Sequence, residues 1–179
     1  MRPLRYSTSA ALAAAILGMT VLGASPASAN VSEGYVAGAG VVTDDWGDEG
    51  TLSQNTNAKA YANGLWQWVL YAEGVDESNG SAYDKYDIDC LFGANTAYAT
   101  KQLQDRWNLG VDGSVGTETF SRADNNLTIS GETVTYHGAA HSVEFFRNAD
   151  SHAYVFHSGS ASGWTLASYS AYAPCDTPN

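Results

Sequence analysis

The chain has 179 residues, 44% of them hydrophobic and 15% charged, and its 19 acidic residues outnumber 8 basic ones for a formal net charge of −11. Such an anionic surface repels nucleic acid and anionic lipid head groups, so neither is expected as a partner. No segment after the first thirty residues is apolar enough over a sufficient length to span a bilayer.

Residues 1–29 read as an export signal. Arg2 and Arg5 form a positive start, residues 10–24 are nearly all apolar or small, Pro26 ends that run, and Ala27-Ser28-Ala29 offers a small-x-small cleavage site. A retained anchor is the alternative, but the run is shorter than the ~20 residues a spanning helix needs. The mature chain is therefore expected to be secreted, with no membrane contact after cleavage. Cys90 and Cys175 are its two cysteines. In an exported chain an even pair reads as a disulfide, here one that ties the C-terminus to the middle of the chain.

Residues 30–51 are rich in glycine and acid without a sustained period, and they read as a linker or loose arm, with Trp46 able to dock on the domain. From Asn57 the pattern changes. Ala58, Tyr61, Ala62, Leu65, Trp66, Val69 and Leu70 recur at steps of three and four, predicting a helix that ends at Gly74. Gly64 inside it reads as a site of close backbone approach. An acidic loop covers 75–89, and a second helix is predicted over 96–108 with Asn95 as its N-cap and Ala99, Leu103 and Trp107 as its buried stripe. Asp112-Gly113 makes a turn before a short third helix over 117–123. Beyond Asn125 the period falls to two. Strands are predicted at 127–130, 133–137, 142–147, 153–157 and 163–169, separated by glycine- and serine-rich turns.

The helical part carries an ordered set of motifs: Phe92-Gly93, Thr96, Leu103-Gln104, Asp112-Gly113, Val115-Gly116 and Thr119-Phe120, with Leu52-Ser53, Trp66-Gln67, Leu70 and Gly74 in the first helical segment. Two pieces echo each other, Asp89-Cys90-Leu91-Phe92-Gly93 and Asp112-Gly113-Ser114-Val115-Gly116, and the first has cysteine where the second has glycine. Gln67 and Gln104 are expected to satisfy backbone groups at the inter-helix turns. Over residues 52–124 this set resembles the peptidoglycan-binding-domain family, a three-helix module appended to many wall hydrolases. The resemblance implies non-covalent attachment to the glycan or stem peptide of the cell wall. The loop at 75–88 is longer than the family pattern, which together with Cys90 suggests that the C-terminal part docks there.

The expected architecture is thus α+β: a three-helix peptidoglycan-binding-like bundle over 52–124 followed by a small antiparallel β-meander over 125–179. A sugar site needs aromatic faces and a few polar side chains. Trp68 and Tyr98 lie off the predicted buried stripes and form the expected platform, with Arg106 beside them, whereas Trp66 and Trp107 fall on the stripes and are expected in the core. His137, His141, His152 and His157 accompany Glu144 in the C-terminal part, but no H-E-x-x-H spacing joins them and they read as solvated. No catalytic residue, metal or cofactor is assigned. The expected function is secreted, non-catalytic peptidoglycan binding. Two alternatives stand beside it: a small wall-active hydrolase using the histidine-bearing part, or a scaffold whose β face binds or inhibits another secreted protein.

Overall fold

The computed structural model describes residues 33–158, 163–170 and 174–175. The expected signal segment at 1–29 lies outside them. Three helices, α1 (Ala62–Glu73), α2 (Ala94–Arg106) and α3 (Thr117–Asp124), precede five strands, β1 (Leu127–Ser130), β2 (Thr133–His137), β3 (Ser142–Arg147), β4 (Tyr154–His157) and β5 (Trp164–Leu166). The strands pair antiparallel with their neighbours in sequence, in the order β1-β2-β3-β4-β5. Among the described residues no helix is long and apolar enough to cross a membrane.

The expected three-helix bundle with an appended meander is corrected by the packing. The helices do not close a core among themselves. α1 packs against α2 and also directly on β2, β3 and β4, while α3 packs on a 3-10 turn at Val42–Asp44 in the N-terminal arm. One hydrophobic core runs from Val36 to Cys175 through helices and sheet alike.

Its centre is Trp46, in the segment read as a loose linker. The indole is fully buried. Phe120 of α3 meets it edge-on at 6.2 Å, Tyr136 of β2 stacks on it at 6.4 Å, and Phe145 of β3 and Tyr154 of β4 meet it edge-on at 5.9 and 5.5 Å. Aromatic edges on aromatic faces add to simple area burial. The arm also joins the sheet through its backbone. Tyr35 and Ala37 form bridges to Ser168 and Ala153, and Tyr154 N donates to Val36 O at 2.8 Å. Residues 33–50 show no period because they are held by single anchors rather than by a repeating face.

Period-two alternation in the strands follows the core. Val134 pairs with Phe145 and Tyr136 with Val143, and all four are buried. Their neighbours Thr135 and Glu144 pair on the opposite face. The last two strands are shorter than the alternating runs that mark them.

Helix starts differ from expectation for local reasons. α1 begins at Ala62 rather than near Asn57, because Asn57 takes φ 53° and Lys59 bridges Leu91. α2 is N-capped by Gly93, not Asn95. Cys90 and Cys175 form the disulfide, with Cα atoms 5.4 Å apart. Gly64 does admit a close approach, but by side chains rather than by backbone: a Cβ there would fall 2.6 Å from Cys90 Sγ and overlap the ring of Phe156.

The two sequence echoes fold into the same device. Gln67 Oε1 accepts from Cys90 N, and its Nε2 donates to Asp89 Oδ1, Leu91 O and Thr96 Oγ1. Gln104 Oε1 accepts from Gly113 N, and its Nε2 donates to Asp112 Oδ1, Ser114 O and Thr119 Oγ1. Each glutamine closes the turn that launches the next helix, and each turn holds a left-handed residue, Cys90 at φ 62° and Gly113 at φ 77°.

Candidate functional site

The residues with binding chemistry gather where β2 and β4 end, β3 and β5 begin, and α1 abuts the sheet. That docking is fixed by the β2–β3 turn. Gly138 lies so close to the Ala72 carbonyl that a Cβ would overlap it, and the backbone N–H groups of Ala140 and His141 both donate to Ala72 O at 2.9 Å. The capped end of α1 is thereby pressed against the sheet, and a cavity of about 500 Å³ opens beside it.

Five aromatic rings line this cavity from three elements and a turn. Trp68 of α1 donates its indole N–H to His157 O at 2.8 Å. Tyr71, one turn further on, meets Trp68 edge-on at 5.6 Å, and the His141 ring stacks on Tyr71 at 4.5 Å. Trp164 of β5 is 46% exposed and crosses the His157 ring at 5.8 Å. The Lys85 ammonium stands 5.9 Å from the Trp68 ring centroid and 5.7 Å from that of Tyr71, within reach of a cation–π attraction. Thr135, Ser142 and Glu144 complete the wall. The apolar faces of a sugar ring can lie on Trp164, while hydroxyl or acetamido groups meet the Glu144, Ser142, Thr135 and Lys85 side chains.

The three expected ligand residues are not brought together. Trp68 lines this cavity but is only 8% exposed, so it shapes the floor rather than offering a face. Tyr98 is 44% exposed on α2 and lies outside the lining. Arg106 caps the end of α1, donating from Nη1 to Glu73 O at 2.6 Å, and belongs to a second cavity of about 390 Å³ with Trp107, Arg122 and His137. Trp68 and Tyr98 therefore do not share one face, and the rings that line the cavity beside Trp68 include Trp164 and Tyr71. Trp66 is buried as expected, with its indole N–H on Thr100 Oγ1 at 2.9 Å. Trp107 is only half-buried because α2 ends one residue before it, and the Arg122 guanidinium covers its ring at 4.9 Å.

Sequence reasoning missed Tyr71, Lys85, Trp164 and the joint placement of His141, His157 and Glu144. The i, i+3 spacing of Trp68 and Tyr71 was a usable signal. The convergence of the remainder depends on strand register. Among the described residues no three His, Cys, Asp or Glu side chains are grouped to hold a metal ion.

Burial raises the Asp87 carboxyl, in the 3-10 turn with Lys85, to about 6, and the other shifted carboxyls lie around the arm. Burial pushes Glu49 up to about 7, against the lowering effect of the Ala37 N–H and the Tyr169 hydroxyl. Burial likewise raises Asp124 to about 7, although it accepts from Trp46 N. Asp45 is raised by burial too, while holding Arg147 and the Tyr154 hydroxyl. These groups anchor the arm and do not reach the cavity. Comparisons with models of known protein families, with curated proteins and with solved structures return no match for this chain.

Proposed function

We propose that this is a secreted, non-catalytic protein that binds the glycan of the bacterial cell wall in the cavity between α1 and the sheet. The observation that carries the reading is the lining of that cavity: an exposed indole, a tyrosine–histidine stack and a ring of short polar side chains, the combination that sugar recognition uses. The motif order over 52–124, which resembles the peptidoglycan-binding-domain family, supports the same ligand. The export-signal pattern and the Cys90–Cys175 disulfide support an extracellular setting.

Binding is tested by sedimenting the mature protein with purified insoluble peptidoglycan. The wild type is expected to co-sediment, and Trp164→Ala to lose about tenfold or more in affinity with an unchanged melting temperature, since that ring is exposed. Failure to co-sediment, or full retention by Trp164→Ala, overturns the reading. Convergence of His141, His157 and Glu144 on the same cavity favours one second reading, a wall-active hydrolase. Turbidity of the same suspension separates the two: clearing supports the hydrolase and a constant signal supports the binder.

A further inference from the structure

The second cavity, of about 390 Å³, lies on the other side of the turn that pins α1 to the sheet. His137, Gly138 and Ala139 line it, while His141 and Ser142 of the same connection line the aromatic cavity. The two cavities are thus neighbours across Ala140. The second holds Arg106 and Arg122, two of the three arginines among the described residues, in a chain of net charge −11. The third, Arg147, is paired with Asp45 at 2.6 Å.

Charge within this cavity does not balance. Glu73 is 4% exposed and faces Arg106 at 3.6 Å, while also accepting from the Tyr136 hydroxyl and the Asn126 amide. Among the described residues Arg122 forms no ion pair. Its guanidinium lies over the Trp107 ring, with one long hydrogen bond of 3.4 Å to Asn126 Oδ1. Two guanidiniums against one carboxylate leave one positive charge beside an aromatic face.

We propose that this cavity binds a carboxylate carried by the same ligand whose sugar occupies the aromatic cavity, so that the protein reads an acidic glycopeptide rather than a neutral glycan. The proposal rests on the glycan reading of the first cavity. A guanidinium lying over an indole and spending one long hydrogen bond on Asn126 keeps N–H groups for the two oxygens of a carboxylate. A monoanion completes the local balance, whereas a phosphate dianion would set excess negative charge against the buried Glu73 carboxylate.

Calorimetric titration of the full mature protein tests this with three soluble probes: a neutral N-acetylglucosamine tetramer, a disaccharide-peptide wall fragment with free carboxylates, and the same fragment with its carboxylates amidated. The free acid is expected to bind about tenfold or more tightly than its amide. Arg122→Gln is expected to abolish that difference and leave the neutral tetramer unaffected. Arg122→Lys, which keeps the charge but not the fork, is expected to retain only part of it. Equal binding of acid and amide by the wild type overturns the proposal, as does an Arg122→Gln variant that folds and keeps the preference. Displacement of the acid by inorganic phosphate more readily than by acetate overturns the carboxylate assignment. A wild type that ignores the tetramer but prefers acid over amide, with loss in Arg122→Gln, overturns the glycan reading while supporting the carboxylate site. Binding of none of the probes overturns both.

Discussion

The two glutamine-closed turns and the N-terminal arm solve one problem with different chemistry. Each must satisfy backbone groups in the interior without a regular ladder. The turns use the neutral amides of Gln67 and Gln104, which donate and accept at once. The arm uses carboxylates: Glu49 accepts from Ala37 N and Asp124 from Trp46 N. A buried amide costs little to desolvate once paired, whereas a buried carboxylate holds its charge at the expense of its pKa. The arm, whose buried carboxyls are shifted, is therefore expected to be sensitive to pH.

The largest effect is expected at the centre of the arm. Trp46→Ala removes the ring on which four other aromatic residues converge and should cost about 3–5 kcal/mol in chemical denaturation. A loss below about 1 kcal/mol would return the arm to the status of a linker. Removing the disulfide with the paired Cys90→Ala and Cys175→Ala changes should cost about 2–4 kcal/mol. It also tests how far the two turns differ, because only the first is covalently anchored.

Gln67→Ala and Gln104→Ala should each cost about 2–3 kcal/mol, since each strands a buried backbone N–H that its amide now receives. A double-mutant cycle sharpens the contrast. Loss of the disulfide should couple to Gln67→Ala, which shares the Cys90 turn, and remain additive with Gln104→Ala. Equal coupling would mean that the disulfide acts on the whole chain rather than on that turn.

The last effect is the dependence on pH. Glu49 and Asp124 have folded pKa values near 7, above those of free carboxyls, so the folded state binds more protons between about pH 4 and 7. Their contribution is fully present below the unfolded pKa and is lost as pH rises through 7. The melting temperature is expected to fall between pH 5 and pH 8, and Glu49→Gln should flatten that slope. A melting temperature that rises over the same range contradicts the assignment.

Much of the local structure was legible before any coordinates. The steps of three and four around Leu65, Trp66 and Val69 marked α1, the alternation from Thr133 to Arg147 marked β2 and β3, and the amide chemistry of Gln67 and Gln104 pointed to them as partners of backbone groups at the inter-helix turns. The site was much less legible. Trp68 was singled out as a binding face, yet its indole turns inward to His157 O. Trp164 and Lys85 carried no local mark that set them apart from other exposed residues of a strand and a loop.

By itself the sequence determined the helices, the strands, the cysteine pair and the turn chemistry, because each is decided by residues within about a turn or a hairpin of one another, or by a count that allows one pairing. Only the tertiary structure decided that Trp46 is the centre of the core, that α1 lies on the sheet instead of within a bundle, and that His141, His157, Glu144 and Trp164 face one cavity. Those outcomes depend on strand register and on the contact of the β2–β3 turn with the Ala72 carbonyl. They are relations between distant segments, set by packing, and no periodicity along the chain encodes them.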